Sequence, residues 1–565
     1  MGANNSSLHH LRTIPQRLQY FSENCPDNEM FVFYTSKERT AFTSKQVYDL
    51  ASRFAWWLHQ QGFQRYDVIA NTLPNSPERL ITDLGIMFAG CTALNGQILL
   101  ADGEDFFSSA VTSRCKAVIV CPRENEPAWR LLKSDVTGSI SGLFADMSCS
   151  RSQDLTSAIL VSRGKDNPGC AVLEELTSGS GDTYVEDVDP DDVFMIFTTS
   201  GSTGYSKMVP RTHRWIFDSC DSFEEASSFS ELRNHENDAA FNDRPLGWLG
   251  GYPTSSFAQA DKRVLLDTLY RSRETSAARA AVTWNAILKE RCKLATILPL
   301  DFYEVSNYVK SQGGSRFKLD TLGIGGQPVR KDQIADMLEL FEKVVVTYGA
   351  TEFGLVSAST LTEANVEDFF SGKPLDENNV RVVNKDQQNC KTKEVGTIHV
   401  RGSGVFTGYF NKLEETDKNT AKAFTTDGWF NTEDNGFFDE QGNLYVLGRE
   451  KDIIMYGSFV VYPGWLERKM VAHPDVADVV VVPVSDPVLF HNICACVKPA
   501  KEKTLDVENL RDFCEKMFLS SSEDEATPIP KYFMILEEFP MTSTGKPHKQ
   551  LMKKMAEERF GQTVK

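Results

Sequence analysis

Residues 197–213 read FTTSGSTGYSKMVPRTH, and their types suit the binding of phosphate. Gly201 and Gly204 let the backbone turn tightly and approach a ligand closely. Successive backbone N–H groups in such a turn form an anion-binding concavity. The hydroxyls of Thr199, Ser200, Ser202 and Thr203 can donate to phosphate oxygens, and Lys207 adds a full positive charge. The stretch does not match the common phosphate loop, GxxxxGK followed by Ser or Thr. Here the lysine follows Ser206, and Met208 comes next. The expected chemistry is therefore phosphate binding by a loop of another design.

Three further stretches carry reactive or ligating side chains. TYGATEFG, residues 347–354, places Tyr348 beside Gly349 and Glu352 beside Thr351. An aromatic face can stack on a base, and a carboxylate can hold Mg2+ on phosphates. In GWFNTEDNGFFDEQGNLYVLGREKD, Asp434 and Arg449 bracket a hairpin, and a carboxylate can grip the two hydroxyls of a ribose. In FPMTSTGKPHKQL, Lys546 lies between Gly545 and Pro547 on a rigid turn. Taken singly, each has a plain alternative: a turn aspartate, a surface arginine, a solvated lysine.

The elements around these residues read as alternating helix and strand. SKQVYDLASRFAWWLHQQGF and PERLITDLGIMFAG have helical spacing and close at Gly62 and Gly90. DVIANTL, CKAVIVC, DVFMIFTT, KLATILP, LDTLGIGG and KVVVTYG are short apolar runs expected to be buried strands. Such alternation predicts an α/β fold with parallel-rich sheets and flanking helices. Ligands in such sheets bind beyond the C-terminal ends of the strands, where the glycine-bearing loops converge. From about Pro374 the texture changes to short strands and turns. After GREKD a smaller α+β unit is expected, with a helix at GWLERKMVAH, strands at VADVVVVPV and ICACVKPA, and a helix at LDVENLRDFCEKMF.

Composition narrows the function. A chain of 565 residues exceeds one core and predicts at least two domains. The net charge of −18 argues against nucleic acid as a partner. The 12 cysteines include no CxxC, so neither zinc nor a redox dithiol is signalled, and a reduced, cytoplasmic setting is expected. Cys494 and Cys496 should share one face of a strand. No apolar run is long enough to span a membrane, no signal peptide is apparent, and the terminal QTVK is not a peroxisomal SKL. MGANNSS fits the myristoylation pattern, with Gly2 as acceptor and Ser6 as its hydroxyl residue; one acyl chain would give only weak membrane association.

In this order, the four stretches resemble the adenylate-forming superfamily of acyl-CoA synthetases, firefly luciferase and peptide-synthetase adenylation domains. The resemblance spans residues 43–551 and includes LPNSPE (73–78), GGQP (325–328), GKP (372–374), VGTIHVRGSGVFTGYF (395–410) and VYPGWLE (461–467). It implies a large N-terminal domain, residues 1–448, with a small β-barrel-like part, and a mobile C-terminal domain, residues 449–565. It implies that the loop of Thr199, Ser200, Gly201, Ser202, Thr203, Gly204 and Lys207 wraps the ATP phosphates. Tyr348 and Gly349 lie against adenine with Gly325, Gly326 and Gln327. Thr351 approaches the α-phosphate and Glu352 binds Mg2+. Asp434 and Arg449 hold the ribose, Lys546 is the catalytic lysine, Lys451 is the hinge, and Gly457 lines the path of the CoA thiol. The implied activity is an acyl-CoA ligase that takes ATP, CoA and a fatty or other hydrophobic acid. A luciferase-like monooxygenase and a catalytically silent binding protein are the alternatives.

Three departures stand out. The usual TGD is TED here, with Glu433 in the glycine's place, and the usual GGEN is GSFV at 457–460. The aromatic–His motif of many relatives is replaced within NDRPLGWLGGYP, where Trp248 and Tyr252 are expected to wall the acyl pocket.

Overall fold

The computed structural model describes residues 8–561 apart from 97–102, 125, 165–170, 180, 200–206, 226–237, 270–275, 316, 327–330, 412–419, 450–453, 457–458, 462, 487–489, 519–528 and 543–545. The chain packs as two compact units. One comprises Met1–Val380 with Val400–Phe430, the other Arg381–His399 with Asn431–Lys565. These units are a different division from the 1–448 and 449–565 domains read from the sequence, because residues 381–399 and 431–448 pack with the C-terminal part.

The first unit holds two large sheets. In the eight-stranded sheet, Val193–Thr199, Thr92–Asn95, Val68–Asn71, Ala117–Val120 and Ser157–Leu160 run parallel side by side. Lys207–Thr212 closes one edge antiparallel to Val193–Thr199. In the nine-stranded sheet, Phe341–Ala350, Leu319–Gly325, Leu294–Thr296, Ala239–Asn242, Lys262–Leu266 and Glu29–Tyr34 form the parallel run. Gly354–Leu361 continues it antiparallel. Val68–Asn71, Thr92–Asn95, Ala117–Val120, Ser157–Leu160 and Ala239–Asn242 are buried at every position, as expected of strands with no wet face.

The first helices show how the sequence sets their limits. Ser44–Gln60 begins with a capping box, in which Thr43 accepts from the Gln46 N–H while the Gln46 side chain accepts from the Thr43 N–H. Pro77–Phe88 begins with Ser76 as cap and Pro77 in its first turn, and every residue of it is buried. Gly62 and Gly90 both take left-handed backbone beyond the helix ends. Burying Arg79 is tolerable because its guanidinium pairs with Asp83 at 2.7 Å and caps the carbonyls of Asn71 and Leu73 at 2.8 Å. The helix is thereby fastened to the end of the Val68–Asn71 strand.

His213, which opens the helix His213–Glu225, is only 1% exposed and accepts from the Ile14 N–H at 3.3 Å through Nδ1. That bond puts the ring proton on Nε2 and docks the helix Ile14–Asn24.

The second unit has a four-stranded sheet of Val380–Val383, Gly396–Val400, Phe430–Phe438 and Leu444–Arg449, which stands where a barrel-like part was expected. Its five-stranded sheet contains Val476–Asp486, Phe490–Pro499 and Tyr532–Ile535. Alternation sorts the side chains of this sheet. Val479, Val481, Ile493, Ala495 and Val497 pack with Leu466 and Leu510. Val480, Val482, Cys494 and Cys496 pack with Met552 and Ala556 of the C-terminal helix. The two cysteines do share one face, as buried thiols. The acidic stretch at 520–526 lies outside the described residues.

Two outcomes follow from these local features. Burial holds His213 well below the ordinary imidazole value of 6.5, at about 3, so the fold binds the neutral ring. The unfolded ring takes up a proton below pH 6.5, and the folded ring resists doing so until about pH 3. Its stability contribution is complete above pH 6.5 and drains away as the pH falls toward 3, at up to about 1.4 kcal/mol per pH unit. Denaturant midpoints measured from pH 7 to 4 should fall more steeply for the natural chain than for His213→Asn, whose amide oxygen keeps the bond without titrating. Glu433 has a φ of +60°, a left-handed conformation that costs a side-chain-bearing residue about 1–2 kcal/mol. Glu433→Gly should stabilise the fold by about 0.5–1 kcal/mol, after the glycine's greater unfolded freedom is set against that relief, and so raise the unfolding midpoint. An unchanged or lowered midpoint would refute strain there.

Candidate active site

The two strands that flank the first stretch, Val193–Thr199 and Lys207–Thr212, pair antiparallel. Thr199 and Lys207 are register partners at the ends of two antiparallel strands, and the Thr199 Oγ1 donates to the Lys207 carbonyl at 3.4 Å. Ser200, Gly201, Ser202, Thr203 and Gly204, between the two strands in sequence, lie outside the described residues. The ladder sets Lys207 at the first position of the return strand.

The second stretch is a hairpin, from Phe341–Ala350 into Gly354–Leu361. Thr351 and Glu352 are on its tip, half-buried, and Tyr348 precedes them on the strand with its ring 5.5 Å from that of Phe353. Two glycines are there for space. A Cβ on Gly349 would sit 2.3 Å from the Gly354 carbonyl oxygen, and one on Gly325 would sit 2.2 Å from the Thr347 Oγ1. Gly326 follows with left-handed backbone, and Gln327 lies outside the described residues. Tyr348, Gly349 and Gly325 thus fall at the C-terminal ends of adjacent parallel strands, where the fold class expects a ligand.

A strap from the segment VRGSGVFTGYF ties the two strand pairs together. The Phe410 N–H donates to the Met208 carbonyl, and the Phe406 N–H to the Glu352 carbonyl, both at 2.8 Å. Arg211, 1% exposed, donates to the carbonyls of Thr351 and Gly404, and Trp215 donates to Gly404 at 3.1 Å. Burial lowers the Arg211 pKa to about 9, against the opposing pull of Glu352, so the group is a cation at neutral pH. At the strap's end, the Tyr409 hydroxyl lies 3.5 Å from the Lys207 Nζ and 3.4 Å from the Glu352 Oε1, and the ammonium is 4.9 Å from the ring centroid. The structure therefore links Lys207 and Glu352 through a residue that no motif reading had assigned a role.

In the second unit, Asp434 and Arg449 are direct cross-strand partners. Asp434 is set by its own N–H, which donates to the Thr432 Oγ1 at 3.0 Å, while Thr432 donates to the Ile398 carbonyl at 2.8 Å. The Arg449 side chain, Lys451 and Gly457 lie outside what is described. Lys546 is exposed, on a tight turn in which its N–H donates to the Thr542 Oγ1 at 3.1 Å and its carbonyl accepts from the Thr542 N–H at 2.6 Å.

One expectation changes. Tyr252 is 4% exposed, with Phe194, Phe197 and Phe257 each 5.6 Å from its ring, so it belongs to the core. Trp248 is half-buried on the same loop. That loop is held by Asn75 of the LPNSPE motif, whose amide donates to the carbonyls of Asp243 and Arg244 at 3.2 and 3.1 Å and accepts from the Leu246 N–H at 2.7 Å. Arg244 in turn donates to the Gly325 carbonyl at 3.2 Å. Among the described residues no cluster of three or more His, Cys, Asp and Glu gathers as a metal site. A lone Glu352 nevertheless suits Mg2+, which binds through one or two carboxylates together with substrate phosphates. Among the same residues no helix is long and apolar enough to cross a membrane.

Residues 18–410 match the AMP-binding enzyme family, and residues 466–546 match the AMP-binding enzyme C-terminal domain. The chain is 24% identical to the mitochondrial medium-chain acyl-CoA ligase of Bos taurus, over 97% of this chain and 88% of that one. It is 25% identical to 4-coumarate–CoA ligase 1 of Arabidopsis thaliana, over 84% and 82%. Its fold is shared with the ATP-bound MatB of Rhodopseudomonas palustris, with a TM-score of 0.74 at 19% identity, covering 97% and 99% of the two chains. The chain thus belongs to the AMP-binding enzyme family, the adenylate-forming superfamily, and is like its acyl-CoA ligases.

Proposed function

We propose that the chain is an AMP-forming acid–thiol ligase that joins a fatty or other hydrophobic carboxylic acid to CoA at the expense of ATP. The observation that carries this reading is the joining of the two strand pairs. A cation suited to phosphate, Lys207, and a carboxylate suited to a divalent ion, Glu352, stand at one place beside Tyr348 and the ends of the parallel strands. The relatives named for medium-chain acyl and 4-coumaroyl acids support a hydrophobic substrate, and the half-buried Trp248 supplies an apolar surface in the loop that Asn75 holds.

In the first step a carboxylate oxygen attacks the α-phosphorus, the bond to the β-phosphate's bridging oxygen breaks, and pyrophosphate leaves. The physical obstacle is that an anion attacks an anion. An ammonium between them offsets the repulsion by about 4 kcal/mol at ~4 Å and an effective dielectric near 20. Lys546, on its exposed turn, is proposed for that place. Lys207 and the loop of Thr199, Ser200, Gly201, Ser202, Thr203 and Gly204 hold the phosphates, with Tyr348, Gly349, Gly325, Gly326 and Gln327 at the base. Thr351 lies toward the α-phosphate, and Asp434 and Arg449 grip the ribose. Mg2+ on Glu352 would add positive charge against the leaving pyrophosphate. In the second step the CoA sulfur attacks the acyl carbon and AMP leaves. A turn about Lys451 is proposed to withdraw Lys546 and bring Gly457, with Phe459 and Val460, to the thiol's path, so that residues 1–448 and 449–565 act as the two moving parts. A cytoplasmic site of action with weak membrane association through a myristoylated Gly2 fits this substrate. N-myristoyltransferase should then add one acyl mass to the chain and not to Gly2→Ala.

ATP–pyrophosphate exchange with a panel of carboxylic acids tests the first step, and AMP and thioester release on adding CoA tests the second. Exchange with no acid would refute the reading. Lys546→Ala should cut exchange roughly a thousandfold, the equivalent of one such charge contact. Thioester formation from supplied acyl-adenylate should stay near the natural rate, and equal loss in both half-reactions would remove Lys546 from its role.

A further inference from the structure

Lys207 and Glu352 are opposite charges whose side chains both reach the hydroxyl of one phenol. They make no direct ion pair. The Tyr409 hydroxyl has one proton and lone pairs to accept, which matches its neighbours: it donates to the Glu352 Oε1 at 3.4 Å and can accept from the Lys207 Nζ at 3.5 Å. The ring face adds a second hold on the ammonium, 4.9 Å away. Tyr409 does not reach this position by chance of rotamer. Its own N–H donates to the Thr420 Oγ1 at 3.1 Å, its ring packs 4.8 Å from that of Phe406, and the flanking Phe410 and Phe406 N–H groups are bonded to the very strand and turn that carry Lys207 and Glu352.

We propose that Tyr409 is a positioning residue that keeps Lys207 and Glu352 close but unpaired, so that each is free for its own partner, a phosphate oxygen for the lysine and a divalent cation for the carboxylate. This rests on the reading of the chain as an ATP-using ligase. Without the hydroxyl, both flexible side chains can rotate into a direct salt bridge. Mg2+ would then have to displace a lysine, and phosphate a carboxylate, so the loss falls on nucleotide binding rather than on the chemical step. A neutral phenol separates the charges at little cost, because its weak bonds to each are readily exchanged.

The test is the affinity of the full-length chain for ATP, titrated over a Mg2+ series at low and high salt, for the natural chain, Tyr409→Phe, Lys207→Met and the double variant, with thermal midpoints to confirm folding. Tyr409→Phe should bind ATP about fivefold more weakly at low salt and need more Mg2+ to do so. Its KM for ATP should rise with kcat for adenylate formation nearly unchanged. The defect should shrink at high salt, because the competing ion pair is screened. It should also shrink below about twofold in the Lys207→Met background, where no lysine remains to collapse onto Glu352. An ATP affinity equal to that of the natural chain at every Mg2+ concentration would overturn the proposal. So would a defect that persists undiminished in high salt and in the Lys207→Met background, which would mark a packing role. A natural chain that binds no ATP with Mg2+ would overturn this proposal and the functional reading together, whereas binding by the natural chain with Tyr409→Phe unaffected would overturn this one alone.

Discussion

A site that handles a magnesium–phosphate complex must hold a free cation and a free anion within a few ångströms of each other. Left alone, such charges pair, and at this range the attraction is worth about 1–4 kcal/mol depending on the effective dielectric. In the first unit Lys207 and Glu352 both contact the Tyr409 hydroxyl and make no direct ion pair. Lys207 comes from the return strand of one sheet and Glu352 from a hairpin tip on the other. A third segment, residues 404–410, is bonded to both and inserts a phenol between them. Two sheets with parallel strands deliver the backbone ends, and the strap sets the spacing of the charges.

Several polar groups beside these strands are buried, each with a partner, and burial still outweighs the partners in raising the pKa of Glu78 and Asp83. Arg79 pairs with Asp83 and caps two carbonyls at the end of a strand. Glu78 pairs with Arg163, which also holds Asp267 at 2.7 Å. Asn75 satisfies its amide on the loop that carries Trp248. Removing one member of such a set leaves a buried group unsatisfied, which costs more than the pair contributes when whole.

Much of this was legible in the sequence because it is local. Apolar runs of strand length and the helix-closing Gly62 and Gly90 are short-range signals, and the structure carries each of them. The chemistry-bearing types were legible for the same reason: Lys207 after a glycine-rich turn, and Glu352 beyond Tyr348. Tyr409 was not, since its partners lie 202 and 57 residues away and a tyrosine beside glycine advertises no charge. Tyr252 misled in the opposite sense. An aromatic among glycines resembles a pocket wall, and only the tertiary packing of three phenylalanines around it reveals a core residue. Asn75 was quoted within a motif, but its role depends on a loop some 170 residues distant, its Leu246 partner being 171 away. Residues 200–206, 327–330 and 450–453, which include much of the expected nucleotide contact and the hinge, lie outside the described residues.

Arg211 completes the logic of the separated charges. It is a buried cation beside Glu352, and the simplest outcome would be a salt bridge that removes the carboxylate from service. Its donors are directed instead at the main-chain carbonyls of Thr351 and Gly404. It stacks on Trp215, with its guanidinium carbon 4.2 Å from the ring centroid. Charge-assisted bonds to carbonyls are strong enough to fix the turn that bears Glu352. They leave the carboxylate's own oxygens uncommitted to any cation among the described residues. Burial draws the Arg211 pKa down, yet at about 9 it stays charged at neutral pH. One arginine therefore anchors the tip without occupying its carboxylate. A lysine could not do the same, because a single ammonium lacks the planar fork that spans two carbonyls and stacks on an indole at once.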